Sequence, residues 1–168
     1  INTYGADTAR WFMLSDSPPD RDLEWTESGI TSSFKFINKV WNLLQDFLSN
    51  KYNDENKKND EVLTDKVSET IENVTNNIEN FHYNKAIANL YELINIIQKS
   101  IVNKSVSKNC LKKTYKNLAL LLQPFTPHLS EEMWKHLKCS DMAVNQPWPK
   151  SYEIKRKKRC KIAIQING

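Results

Sequence analysis

Apolar residues recur in alternating steps of three and four positions along four stretches of the chain. This spacing places them on one side of an α-helix, which has about 3.6 residues per turn. Helices with such stripes pack side by side, so the pattern predicts an all-α helix bundle. The four stripes are Ile30, Phe34, Ile37, Trp41, Leu44 and Leu48; Val67, Ile71, Val74, Ile78 and Phe81; Tyr83, Ile87, Leu90, Ile94, Ile97 and Ile101; and Leu111, Tyr115, Leu118 and Leu122.

Residues that favour helix starts precede several of these stretches. Thr26 is placed to cap the first long helix, and Trp25 before it is placed to pack onto Ile30 as a hydrophobic staple. Ser107 is a cap for the fourth helix. Thr126-Pro127 has the cap-then-proline order that starts a further, shorter helix.

The opening segment predicts a rigid connection to the bundle. Residues 4–14 have the pattern of a short helix, which Ser17, Pro18 and Pro19 end. Consecutive prolines hold the backbone extended. Asp22 to Trp25 then leads into the first bundle helix. We therefore expect a junction segment at residues 1–25 and the helical bundle at 26–138.

The end of the chain predicts a different structure. Residues 139–150 carry the loop residues Pro147 and Pro149 around Trp148. Apolar and polar residues alternate over 162–166, and Asn167-Gly168 is a strong hairpin-turn sequence. Residues 139–168 are therefore expected to form a loop and the first strand of a truncated C-terminal domain. Because the return strand is missing, the pattern predicts more protein downstream.

Charge and cysteine content narrow the function classes only modestly. The formal net charge of +4 is compatible with nucleic-acid binding without requiring it. The 3 cysteines lack the close pairs of zinc sites.

A metal site and a membrane span are not expected either. His128 and His136 lie two helical turns apart, too far to share a metal ion, so no metal site is expected. No apolar run approaches the roughly 20 residues of a membrane span. We expect a soluble, intracellular protein.

Four blocks of sequence resemble one enzyme family. Tyr-Gly-Ala-Asp-x-x-Arg at residues 4–10 resembles the segment after the KMSKS loop in class I aminoacyl-tRNA synthetases for leucine, isoleucine, valine and methionine. The continuation to Trp25, with its paired prolines and Leu-Glu-Trp ending, looks like the bacterial leucyl-tRNA synthetases. Blocks at 83–90, 123–134 and 164–168 keep the order of that family. The resemblance implies a helical bundle of the class I synthetase anticodon-binding type.

The resemblance also implies a function for the chain. Leucyl-tRNA synthetases attach leucine to tRNA(Leu) with ATP and Mg, but their HIGH and KMSKS motifs do not occur in this sequence. No catalytic residue is therefore expected here, no cofactor in this fragment, and no activity from it alone. The implied partners are tRNA(Leu) and the catalytic domain of the same parent chain, in a monomeric, cytoplasmic enzyme. The alternatives are a valyl- or isoleucyl-tRNA synthetase domain, or a helical scaffold that binds no RNA.

Three basic residues are candidate tRNA contacts. Lys35 and Lys39 are separated by one helical turn, about 6 Å, on one face of the first bundle helix, and they align with basic residues of the family. The alternative is an ordinary solvated face. Arg10 is placed either to meet tRNA phosphate or to pair with nearby acidic residues at the junction. The basic run 155–159 is either a phosphate contact or a solvated linker. Trp25, Pro18, Pro19 and Asp22 are expected to serve the junction structurally.

Overall fold

The computed structural model describes residues 2–52 and 59–152. In these ranges the chain is all-helical, as predicted, with six α-helices and one short 3₁₀ turn but no strand. The expected strand at 162–166 and the basic run 155–159 lie outside the described residues. The helices are α1 (Ala6–Asp16), α2 (Glu27–Ser49), α3 (Asp60–Glu79), α4 (Tyr83–Val102), α5 (Lys108–Leu122) and α6 (Pro127–His136), and the 3₁₀ turn is Ala143–Asn145.

Two of the predicted helix caps are confirmed. Thr26 precedes α2, and its side chain accepts a hydrogen bond from the Gly29 amide at 3.2 Å. Ser107 caps α5 in the same way, with the Cys110 amide as donor at 3.2 Å. A side-chain oxygen at such a position satisfies an amide that has no partner within the helix.

The helices run alternately up and down around one apolar core. Phe36 of α2 lies against Tyr91 of α4, with ring centroids 3.8 Å apart. Phe47, in the last turn of α2, stacks on Tyr115 of α5. The Tyr115 hydroxyl donates to the Leu43 carbonyl at 2.8 Å, and burial raises the pKa of this phenol, so it stays a protonated donor. Lys39 of α2 also meets Asn95 of α4, so these two helices are parallel. The start of α5 lies beside the end of α2, whereas Phe125 after α5 lies near Phe36 through Trp11, so α5 is antiparallel to α2.

The buried face of α2 is rotated from the predicted stripe. Phe34 and Leu48 are 39% and 41% exposed, whereas Phe36 and Phe47 are buried. The pattern was ambiguous because α2 carries apolar residues at adjacent positions, so two stripes about 100° apart fit it equally well. The buried apolar residues of α2 are Ile30, Phe36, Val40, Leu43, Leu44 and Phe47.

Three helices end on a left-handed residue that is not glycine. Phe81, Lys104 and Lys138 follow α3, α4 and α6 and have φ of 58°, 46° and 54°. After α6, for example, the Lys138 amide bonds to the Lys135 carbonyl and the Cys139 amide to the Trp134 carbonyl, the paired bonds of a Schellman motif. The prediction that Phe81 belongs to the apolar stripe of the second predicted helix is therefore wrong: it follows the end of α3 and is 63% exposed.

Helix α1 packs onto the bundle through a buried aromatic cluster. Trp11 is fully buried, stacks on Phe36, and meets Phe125 edge-on. Its indole N–H donates to the Tyr91 hydroxyl at 3.1 Å. The opening segment is thus fixed to α2, α4 and the turn between α5 and α6. In the ranges described, no helix is long and apolar enough to cross a membrane.

Candidate nucleic-acid interface

Four of the five specified residues of the Tyr-Gly-Ala-Asp-x-x-Arg block have a structural role. Gly5 precedes α1 with φ 82° and ψ 162°, a conformation that side chains other than hydrogen rarely allow. The Tyr4 hydroxyl donates to the Glu27 carboxylate in the first turn of α2. The block therefore begins by tying the start of α1 to the start of α2.

Asp7 caps a helix that lies far away in the sequence. Its carboxylate accepts hydrogen bonds from the Leu129 amide at 2.7 Å and from the His128 amide at 3.4 Å. The His128 ring lies 2.8 Å from the same carboxylate. Helix α6 starts at Pro127, as predicted, but Thr126 makes no side-chain cap. The negatively charged side chain of Asp7 caps α6 instead, at the N-terminus where the helix dipole favours an anion.

Arg10 binds the other side of the same turn. Its Nε donates to the Phe125 carbonyl at 3.1 Å and its Nη2 to the Pro124 carbonyl at 2.6 Å. These carbonyls follow the end of α5, where backbone acceptors lack helical partners. The sequence suggested an acidic partner for Arg10, but the structure gives it main-chain carbonyls. We call Asp7 and Arg10 together the junction clamp.

The other junction residues lie around the connection from α1 to α2. The Pro18 carbonyl accepts a hydrogen bond from the Arg21 amide at 3.1 Å, which forms a turn, and Pro19 and Asp22 are exposed. Trp25 is 56% exposed and its ring meets Phe12 edge-on at 5.2 Å. The staple onto Ile30 stays a prediction.

Lys35 and Lys39 lie on the exposed side of α2, beside α4. Lys39 donates to the Asn95 side chain of α4 at 2.9 Å. Lys35 is exposed, with no hydrogen bond or ion pair to another described residue. Both lysines line a shallow groove of about 420 Å³ together with Asn38, Asn42, Asp46 and Gln98. We call this the α2–α4 groove.

Two residues of α4 at the α2–α4 groove were not singled out by the sequence. Gln98 lines the groove, and Asn95 accepts the hydrogen bond from Lys39 beside it. Both follow the lysines by more than 50 residues in the chain. An amide donates and accepts hydrogen bonds, so these side chains suit sugar hydroxyls and phosphate oxygens. The one signal in the sequence for these two residues was that they are polar and lie on the exposed side of a helix with an apolar stripe.

The described ranges contain neither a metal-binding cluster nor a disulfide. No group of three or more potential metal ligands converges within residues 2–52 and 59–152. Cys110 and Cys139 are free thiols, and Cys160 lies outside those ranges. Burial raises the pKa of the Cys110 thiol, which favours its unreactive protonated form.

The fold and this geometry agree with a known family of domains. The family described as "Anticodon-binding domain of tRNA ligase" matches residues 60–168. The match covers more than half of the chain. The chain therefore belongs to this family of tRNA-ligase domains.

Similarity over the whole chain points to one group of these enzymes. The chain is 39% identical to "Leucine--tRNA ligase" of Jannaschia sp. (strain CCS1) and 44% identical to "Leucine--tRNA ligase" of Orientia tsutsugamushi (strain Boryong). Both matches cover 100% of this chain and 20% of the relative, so the chain spans about a fifth of their length.

A solved structure shares the fold. It is the crystal structure of the ternary complex of Agrobacterium radiobacter K84 agnB2 LeuRS with tRNA and LeuAMS, at 26% identity and a TM-score of 0.78. The match covers 89% of this chain and 20% of that chain.

Proposed function

We propose that this chain is the tRNA-docking portion of a leucine–tRNA ligase, the enzyme that attaches leucine to tRNA(Leu) with ATP. The observation that carries the proposal is the similarity of the whole chain to leucine–tRNA ligases. ATP and Mg then belong to a catalytic domain of the same parent chain, and the cytoplasm is the expected compartment. Residues 1–25 serve as the junction, 26–138 as the docking bundle and 139–168 as the start of a further domain.

Lys35 and Lys39 are the proposed contacts to the tRNA backbone. Both cations lie on a rigid helix, and the amides of Asn95 and Gln98 lie beside them. A lysine offers three donors, so Lys39 keeps two for phosphate while it holds Asn95. Contacts of this kind bind by charge and shape rather than by base sequence.

The test removes both charges from the α2–α4 groove in the full-length ligase that carries this chain. Removing one lysine–phosphate contact lowers the slope of log affinity against log salt by roughly 0.7–0.9. Lys35→Ala/Lys39→Ala is therefore expected to lower the slope by about 1.5 and to weaken tRNA(Leu) binding about tenfold at low salt. Leucylation of tRNA by the unmodified enzyme is the measure of the proposed activity.

A control variant distinguishes direct contact with tRNA from a general effect of net charge on tRNA binding. Lys85→Ala/Lys113→Ala removes the same net charge from exposed positions outside the α2–α4 groove. An equal slope in both double variants would exclude Lys35 and Lys39 from the interface. Better competition by valine or isoleucine tRNA than by leucine tRNA would favour the related synthetases. The absence of salt-dependent tRNA binding would favour a scaffold that binds no RNA.

Arg10 has a different proposed role, which is to position α1 rather than to bind tRNA. Two of its donors are already bound to carbonyls of the turn between α5 and α6. These bonds support a positioning role over direct contact with tRNA. Arg10→Ala is then expected to weaken tRNA binding with the salt slope unchanged.

A further inference from the structure

A second group of cations lies at the far end of the bundle, away from the junction clamp. This end is formed by the last turns of α2 and α6 and the first turn of α5. A groove of about 360 Å³ opens there. We call it the far-end groove, and it is lined by Phe47, Leu48, Lys108, Lys112, His136, Leu137 and Lys138.

The far-end groove is a surface separate from the α2–α4 groove. Leu48 follows Lys35 by 13 positions. On a helix this separation corresponds to about 20 Å along the axis and a rotation of about 220°. Asp46, which lines the α2–α4 groove, is only two positions from Leu48 but is rotated about 200° from it. The two grooves therefore open on different sides of α2.

The cations of the far-end groove are not neutralised by the part of the chain that the structure describes. Lys108, Lys112 and Lys138 make no ion pair or side-chain hydrogen bond with residues 2–52 or 59–152, and no acidic residue of those ranges lines the groove. Lys66, in contrast, is held by Glu69 and Glu92. Three uncompensated positive charges around one concavity repel each other, and an anion bound between them relieves this repulsion.

The arrangement of these lysines suits a chain of phosphates. Lys108 and Lys112 are one helical turn apart on α5, about 6 Å, which is comparable to the spacing of phosphates along an RNA strand. Lys138 follows α6 on the opposite wall and is held there by the Schellman motif at φ 54°. The exposed Leu48 supplies apolar surface between the two walls.

We propose that the far-end groove binds the sugar–phosphate backbone of the docked tRNA, as a second contact independent of the α2–α4 groove. This inference rests on the proposed tRNA-docking function. Charge complementarity carries it: a polyanion is the partner that several unpaired cations on a rigid surface fit best. Apart from His136, whose Nδ1 already bonds to the Glu132 carbonyl, the polar lining of the groove is lysine, so the contact is expected to add affinity with little sequence preference.

The experiment compares three variants of the full-length ligase with a tRNA(Leu) transcript over a series of salt concentrations. Lys108→Gln/Lys112→Gln removes two cations of the groove, and Lys85→Gln/Lys113→Gln is the control with the same loss of charge. Lys138→Gly removes the third cation while glycine suits the left-handed backbone. Circular dichroism and thermal melting verify that each variant is folded.

The expected result is a fall in the salt slope of about 1.5 for Lys108→Gln/Lys112→Gln and of about 0.8 for Lys138→Gly. The control should change the slope by much less. Equal slopes for the groove variant and the control, with wild-type binding intact, overturn the far-end contact but leave the docking function standing. If the unmodified ligase shows no salt-dependent tRNA binding, the docking function itself fails.

Combining the variants tests whether the two contacts are independent. Separate surfaces predict that the decreases in log affinity of Lys35→Ala/Lys39→Ala and Lys108→Gln/Lys112→Gln add. If the groove variant causes no further decrease once the α2–α4 lysines are removed, the second contact is refuted.

Discussion

Removal of the Asp7 carboxylate should destabilise the bundle although Asp7 lies outside the long helices. Asp7→Ala leaves the Leu129 amide without its partner at 2.7 Å, and this bond is buried. It also removes the charge that faces the start of α6 and the ring of His128. A lost cap costs about 0.5–2 kcal/mol and a charge-assisted hydrogen bond about 1.5–3 kcal/mol. We expect a loss of about 2–3 kcal/mol in the free energy of unfolding.

Urea unfolding of the 168-residue chain, followed by circular dichroism, measures this loss. The midpoint should fall while the m-value stays constant, because the same surface is exposed on unfolding. Asp7→Asn keeps one acceptor but not the charge, so it should lose about 1 kcal/mol. In thermal melting, Asp7→Ala should lower the Tm by roughly 4–12 °C.

A matched control tests whether the loss of stability comes from removal of the cap. Asp20 is also acidic and close to α1 in the sequence, but it is exposed. If Asp20→Ala lowers the midpoint as much as Asp7→Ala, the capping argument is refuted. A double-mutant cycle with Arg10→Ala adds a second check. If Asp7 and Arg10 stabilise the same turn jointly, the coupling should be at least about 0.5 kcal/mol.

Three further substitutions or labels test the packing. Gly29→Ala should destabilise by about 1–3 kcal/mol in urea unfolding, because the new Cβ would lie 2.4 Å from the buried Phe12 ring; Ser28→Ala, at an exposed neighbour, should not. Phe81→Gly should be about 1 kcal/mol more stable than Phe81→Ala, because φ is 58° there; equal midpoints would contradict this. Cys110 should react with a thiol reagent only after unfolding, as mass spectrometry of labelled peptides would reveal.

Helix positions were predictable from sequence because local chemistry determines them. The three-and-four spacing of apolar residues and the caps Thr26 and Ser107 act within one or two helical turns. The ends of α3, α4 and α6 were harder, since the glycine that marks such an end is replaced by Phe81, Lys104 or Lys138. A helix end without glycine has the local pattern of a helix that continues.

Contacts between distant segments were not predictable from the residues alone. Arg10 is followed by several acidic residues in the sequence, and Asp7 lies three positions before Arg10, so short-range ion pairs were the natural expectation. Their actual partners lie 114 to 122 positions away. The pattern of side chains does not show which backbone amides and carbonyls at helix ends need a partner. These groups nevertheless bind charged side chains in competition with ion pairs.

The junction clamp and the lysine surfaces affect tRNA binding through different physical quantities. Lys35 and Lys39 act by charge, so their removal must change the salt slope. Asp7 acts by holding α1 against the turn before α6, and its removal changes no contact to phosphate. Asp7→Ala in the full-length ligase should therefore weaken tRNA binding and slow leucylation while the salt slope stays at the wild-type value. A lowered slope would mean that α1 carries part of the tRNA contact itself, and Arg10, at the exposed edge of that helix, would then be the residue to suspect.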